Sequence, residues 1–240
     1  MTAIFVTAPG FNARHGFFTR QGGVSTGDFA SLNCNLNSTD DPAAIAENRA
    51  LVAQAMGVSR LLGLKQIHGT EVVTVARGDE TGAPADAMVT AIPGIGLGVI
   101  SADCAPVLLA DLEAGVVAAA HAGWRGAVAG VLEATIAAMH SLGAHNISAT
   151  IGPCIGLASY EVGPEVKVSA ARDESFEIGT DGRLRFDLAG YCAARLKDSG
   201  IQSVSIEGSD TYMDQRFWSH RRRTHAGGGR IGHQISVVVL

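Results

Sequence analysis

Two apolar runs, residues 107–111 and 116–120, are separated only by Leu112-Glu113-Ala114-Gly115. A linker that short cannot hold a crossover helix, so the runs pair as an antiparallel hairpin. A hairpin there limits the architectures open to the chain. Its sheet is not purely parallel, and the helical patterns found elsewhere must pack against a mixed sheet. It also lays the start of the first strand beside the end of the second. Cys104 stands just before that start and His121 just after that end. Their side chains therefore meet at the open end of the hairpin. Pro106 has no amide to donate and suits a strand entry, and Gly123 lets the chain leave His121 sharply.

Other segments fill in the fold. Asp41 followed by Pro42 opens a helix that runs through Ile45, Leu51, Val52 and Met56 and stops at Gly57. A second helix is predicted from near Trp124 to Gly143, with Val128, Val131, Leu132 and Met139 on its apolar side. A third follows Asp187, carries Leu188, Tyr191, Cys192 and Leu196, and ends at Gly200; a shorter one follows Gly163-Pro164. Strand-like runs cover residues 71–76, 97–102, 148–151, 204–206 and 235–240. The class expected is α+β. No Pro/Ser-rich linker, charge block or fixed-period repeat divides the chain, so residues 1–240 are expected to form one domain.

With 47% apolar residues the chain can bury a sizeable core. A formal net charge of -5 without a basic face argues against a nucleic-acid partner. The most apolar region, residues 127–139, is short and broken by Gly130 and Glu133, so no membrane span is expected. Residues 1–10 carry no basic segment followed by an apolar run, so no signal peptide is expected. The widely spaced Cys34, Cys104, Cys154 and Cys192 form no C-x-x-C pair and read as reduced thiols in the cytoplasm.

His68, in Lys65-Gln66-Ile67-His68-Gly69, supplies a second imidazole at a strand end. Two imidazoles and a thiolate suit a zinc ion with one position left open, which means chemistry rather than scaffolding. Taken singly, each also fits a structural role, as a hydrogen-bonded histidine or a small buried thiol. Asp103 suits either an acid/base group or a turn residue. Cys154, in Ile151-Gly152-Pro153-Cys154, reads first as buried and second as a proton carrier. Arg49, Arg125 and the cluster beginning at Arg221 are candidates for holding an anion. No P-loop and no dinucleotide fingerprint is present.

Lys65-Gln66-Ile67-His68-Gly69, Ala102-Asp103-Cys104, His121-Ala122-Gly123-Trp124-Arg125-Gly126 and Ile151-Gly152-Pro153-Cys154-Ile155 together resemble one family. It is the family formerly called multicopper polyphenol oxidases or laccase-domain proteins, now described as purine nucleoside phosphorylases, which includes the peptidoglycan editing factor. Ser31-Leu32-Asn33, Glu47-Asn48-Arg49 and the Arg221-Arg222 region fit it too. The resemblance implies layered α/β/β/α packing and zinc on His68, Cys104 and His121, with copper as the alternative metal. It implies phosphorolysis of adenosine, inosine, guanosine and methylthioadenosine by inorganic phosphate, and adenosine deamination. Asp103 and Cys154 are then the proton-shuttle candidates, and Gln66, Arg49, Arg125 and Arg221 the substrate-binding ones. The usual short arginine–glycine ending is expanded here to residues 221–230, which leaves open which arginine meets the anion.

Three rivals stand beside it. Copper oxidation of phenols uses a similar donor set, but eight histidines without a His-x-His pair are few for several coppers. A Cys-His hydrolase would use Cys104 as nucleophile and His121 as base. A non-catalytic factor in cell-wall quality control would act through protein contacts. The preferred purine and the oligomeric state stay open.

Overall fold

The computed structural model describes residues 1–240. In chain order the first elements are β1 (Phe5–Val6), β2 (Arg14–Phe18), α1 (Pro42–Ala55), β3 (Arg60–Leu62), β4 (Val72–Val75), β5 (Ala87–Thr90), β6 (Ile95–Ser101), β7 (Ala105–Asp111) and β8 (Val116–Ala122). They continue with α2 (Trp124–Ala129), α3 (Val131–Ser141), β9 (Ser148–Ile151), α4 (Pro164–Ala170), β10 (Phe176–Ile178), β11 (Leu184–Phe186), α5 (Leu188–Asp198), β12 (Ser203–Ile206), α6 (His220–His225) and β13 (Gln234–Val239). One sheet has the order β12-β9-β7-β8-β5-β4, a second β1-β2-β13-β6-β3, and β10 pairs with β11 apart from both. The pairs β4/β5, β3/β6 and β9/β12 are parallel and the others antiparallel. The sheets are mixed, as the hairpin required.

Period-two alternation sets the layers. Along β8, Val116, Ala118, Ala120 and Ala122 face a core shared with Leu132 and Met139 of α3 and Leu196 of α5. Val117 and Ala119 of the same strand face a second core, shared with Leu97, Val99 and Val238 of the other sheet. On the far side of that sheet Ile235, Val237 and Val239 pack on Val52 and Met56, at the end of α1. Helix, sheet, sheet, helix is thus the α/β/β/α order that the resemblance implied. β8 is buried on both faces, which explains why it reads as an unbroken apolar run.

Leu109 lies fully buried in the central strand β7. Truncation to alanine leaves a cavity that the flanking strands cannot close. Leu109→Ala is expected to lower the unfolding free energy by about 2–5 kcal/mol, read by denaturant titration.

Two expectations are corrected. The helix predicted from Trp124 to Gly143 is two helices, because Gly130 takes φ +104 and breaks the hydrogen-bond ladder between α2 and α3. The short elements β1, β2, β3, β5, β10, β11 and α6 went unpredicted; runs this short carry little periodicity. Of these, β5 matters most, because it brings Asp86 to the site.

Candidate metal centre

The β7/β8 register pairs Ala105 with Ala122 and Pro106 with His121. The hairpin therefore does bring Cys104 and His121 together. Cys104 leaves β6 through the turn Ala102-Asp103-Cys104, in which Asp103 has φ +98. That left-handed conformation costs a non-glycine residue energy and needs an anchor. Both carboxylate oxygens of Asp103 supply it, accepting from Thr211 Oγ1 and from Arg221 N, each at 2.6 Å.

Asp86 does the same for His68. It is fully buried, and its carboxylate accepts from the backbone amides of Ile67, His68 and Gly69 at 3.2, 2.9 and 2.7 Å. The amides wrap one carboxylate, which holds His68 at φ +60. Asp86 Oδ1 also accepts from His121 Nδ1 at 2.9 Å, and its carbonyl accepts from His121 N at 2.7 Å. With Nδ1 engaged, Nε2 of His121 is the nitrogen left for an ion. Orientation of one ring nitrogen by a carboxylate is the usual support for a metal-binding histidine. One buried side chain thus positions two of the three donors.

The donor atoms of His68, Cys104 and His121 lie within 4.8 Å of one another, and no other cluster of three such residues occurs. Cys104 Sγ is 3.8 Å from His68 Nε2, and the two imidazole rings meet edge to face at 4.8 Å. Bonds of about 2.0–2.3 Å from one ion to these atoms suit that spacing. A Cβ at position 123 would lie 2.8 Å from His68 Cδ2 and 3.0 Å from Cys104 Sγ, so glycine there keeps the cluster clear.

Charge also fits a metal. Burial by itself would raise the Cys104 thiol, but the adjoining His121 and His68 bring it down to about 6. Burial would lower His121, but Cys104 and Asp86 raise it to about 9. Burial opposes ionisation of Asp86 as well; His121 and the amides of Gly69 and His68 outweigh it and hold the carboxyl below its usual value. At neutral pH the metal-free site is a thiolate beside an imidazolium. A metal needs the thiolate and a neutral imidazole, so uptake must displace the His121 proton. Metal addition at pH 7.5 is expected to release about one proton, falling towards zero as the pH passes about 9. A pH-indicator titration in weak buffer reads this directly.

The cluster opens on a cavity of 550 Å³. Gln66, Asp103, Arg125 and Arg221 line it, as do Trp124 and Tyr160. The Gln66 amide is engaged at both ends by the backbone of Ile100, at 2.8 Å each. Arg125 is exposed, with its guanidinium 4.5 Å over the Trp124 ring. Arg221 donates to the carbonyls of Ser159 and Glu161 at 3.4 and 2.8 Å.

Two sequence candidates lie elsewhere. Arg49 does not line this cavity; its guanidinium donates to the carbonyls of Cys34 and Leu61 at 3.3 and 2.9 Å and braces α1 against β3. Cys154 is packed in the core between the six-stranded sheet and its helices, outside the cavity lining, and burial pushes its thiol well above the ordinary value. Asp103 borders the cavity, but its oxygens are committed to the turn. Sequence reasoning missed Asp86, Tyr160, His220 and His233, of which the last three line the cavity. Asp86 lies between two alanines, just before a four-residue strand, where nothing in the pattern marks it.

The family described as Multi-copper polyphenol oxidoreductase laccase matches this chain over residues 14–240. A relative from Deinococcus radiodurans named purine nucleoside phosphorylase is 40% identical over 240 residues, covering 97% of this chain and 91% of its own. One from Pseudomonas aeruginosa with the same enzyme name is 39% identical over 217 residues, covering 87% and 88%. A solved structure from Neisseria meningitidis superposes with TM-score 0.87 at 36% identity, covering 98% of both chains. YlmD from Geobacillus stearothermophilus gives TM-score 0.88 at 28% identity over 99% of this chain and 98% of its own.

Proposed function

Since the chain belongs to the family described as Multi-copper polyphenol oxidoreductase laccase, we propose that it is a purine nucleoside phosphorylase with zinc at His68, Cys104 and His121. The observation that carries this is the opening of a three-donor cluster onto a cavity of 550 Å³ walled by Trp124 and Tyr160. That volume is in the range of small-molecule sites, and the two rings suit the faces of a purine. The enzyme name of the Deinococcus and Pseudomonas relatives supports the same reaction. Adenosine, inosine, guanosine and methylthioadenosine are the proposed substrates, with adenosine deamination as a second activity. Its four cysteines are unpaired, which favours a cytoplasmic location.

Copper oxidation of phenols, which the family's description suggests, fits the donor set less well. Electron relay among several coppers needs several imidazole-rich clusters, and this chain has one cluster of three donors. No methionine lines the cavity to serve as the weak axial ligand of a blue copper site. His68, Cys104 and His121 would hold a zinc ion, which when bound would supply the positive charge that makes water nucleophilic near neutral pH.

The chain's own groups position the rest. In phosphorolysis a phosphate oxygen bonds to C1′ of the ribose as the C1′–N9 bond breaks. The purine departs with that electron pair and takes up a proton, leaving ribose 1-phosphate. Trp124 and Tyr160 hold the base while the phosphate approaches, and orientation of this kind supplies much of the rate. Burial raises the Tyr160 phenol, so it stays protonated and able to donate. In deamination, water oxygen bonds to C6 of adenosine and the amino group leaves as ammonia, giving inosine.

Purified zinc-loaded protein given inosine and phosphate is expected to form hypoxanthine and ribose 1-phosphate. Turnover stops with a chelator and returns with zinc. No phosphate-dependent product from any of the four nucleosides contradicts the proposal and favours a non-catalytic factor. The lowered Cys104 thiol also suits a Cys-His hydrolase; a substrate adduct on Cys104 in metal-loaded protein decides for that enzyme.

A further inference from the structure

Of the arginines that a phosphorylase would be expected to turn on its anion, Arg125 lines the cavity over the Trp124 ring and three others are committed elsewhere. Arg49 and Arg221 donate to backbone carbonyls. Arg222 donates to those of Thr211 and Tyr212 at 2.6 and 2.8 Å, and to that of Phe217. The cavity has another set of donors. His233 lines it, and its Nδ1 lies 3.2 Å from Asn35 Nδ2. Because the amide nitrogen can only donate, Nδ1 accepts, and the ring proton sits on Nε2. His220 also lines the cavity, with Nδ1 2.8 Å from Arg223 Nη2. The same guanidinium nitrogen lies 3.3 Å from His220 Nε2, so Arg223 covers this ring on the side of both nitrogens. The His233 Nε2–H has no acceptor in the structure.

We propose that His220 and His233, backed by Arg223, form the subsite that holds inorganic phosphate beside the nucleoside. This rests on the phosphorylase function proposed above and names the place of its second substrate. Two further polar groups around it lack partners. The Ser101 hydroxyl, in a residue 2% exposed that lines the same cavity, has none, and neither has the buried Nε of Arg223. Asn35 Oδ1 takes the Asn37 amide at 2.9 Å, and the Asp103 carboxylate, which borders the same cavity, accepts from Thr211 and Arg221. Donors left over at the cavity suit an anion with several oxygens. Burial lowers His233 to about 4, so its ring is neutral and carries a single proton. The placement is built into the scaffold. Asn33 Oδ1 accepts from His233 N at 3.0 Å, and Asn48 Nδ2 donates to the Asn33 carbonyl at 2.9 Å. The Asn33 and Asn48 motifs therefore serve to hold together the two segments that carry Asn35 and His233.

Calorimetric titration of zinc-loaded protein with inorganic phosphate, and separately with inosine, tests this. His220→Ala and His233→Ala are each expected to weaken phosphate binding about tenfold to a hundredfold, the range for losing a hydrogen bond to a charged group. Inosine binding should shift far less, and in steady state KM for phosphate should rise more than KM for inosine. His233→Gln places an amide N–H near Nε2 and should restore most of the affinity; if His233→Ala does not fold, this variant and His220→Ala decide. Wild-type phosphate affinity in the variants overturns the subsite. So does an effect confined to inosine 5′-monophosphate, which would mark a nucleotide site. If phosphate binds through these histidines but no nucleoside is cleaved, the phosphorylase function fails and the anion site stands. If nucleosides are cleaved and the variants match wild type, the reverse holds.

Discussion

Cys104→Ala protein is expected to fold, and to lose its metal and its turnover together. Cys104 contributes the only sulfur of the cluster, with His68 Nε2 at 3.8 Å and His121 adjoining it. It belongs to none of the three apolar cores. Removing it therefore costs little packing, although in the presence of a chelator the buried His121 loses its thiolate partner and some stability with it. The metal is another matter. Loss of a residue that only supports a metal ligand costs about 10–100-fold in affinity, and loss of the thiolate itself should exceed that. Metal titration with a competing chromophoric chelator reads the affinity, and a nucleoside assay on the same sample reads turnover. Cys104→Ala with wild-type metal content and wild-type turnover would refute the site.

Asp86→Ala should do the opposite: damage the fold as much as the site. Its carboxylate is fully buried and serves the amides of Ile67, His68 and Gly69 together with His121 Nδ1. Alanine leaves three amides turned towards nothing and releases His68 from a conformation that only those contacts sustain. It also leaves the buried His121 without its acceptor. Breaking a buried charged pair costs about 3–5 kcal/mol, and the orphaned amides place the loss at the upper end. Metal affinity should fall about 10–100-fold as the two imidazoles lose their alignment. The carboxyl is held below its ordinary value, so its contribution is present above the unfolded pKa of about 3.9 and is lost as the pH falls through the folded one. Wild-type protein should therefore lose stability in acid more steeply than Asp86→Ala. Urea unfolding at pH 7 and at pH 3 checks both effects; equal stability of the two proteins at pH 7 would show that the carboxylate anchors nothing.

The two halves of the site differ in how legible they are. The meeting of Cys104 with His121 follows from two apolar runs and a four-residue linker, because hairpin pairing is local. The layering follows equally from alternation, as in β8, where successive residues face different cores. The third donor is different. His68 reaches the other two only because Asp86, eighteen residues on, gathers its backbone amides and the His121 ring at once. A buried carboxylate acting on main-chain donors leaves no pattern in side-chain types. The same limit explains the arginines. In the sequence Arg49, Arg221 and Arg222 look like free cations, whereas the fold spends their donors on carbonyls that close loops. His220 and His233 were the reverse case, unremarked in the sequence and brought into the cavity by the ends of α6 and β13. Cys154 shows that a Gly-Pro-Cys string can mark nothing more than a strand leaving a packed core.

Anomalous diffraction recorded on both sides of the zinc absorption edge, from crystals of protein purified without added metal, bears on all of this at once. A single zinc peak is expected, bonded to Cys104 Sγ, His121 Nε2 and a nitrogen of His68, with Asp86 still holding His121 from behind. A peak at the copper edge instead, or a cluster with no metal while zinc lies elsewhere in the molecule, would contradict the account.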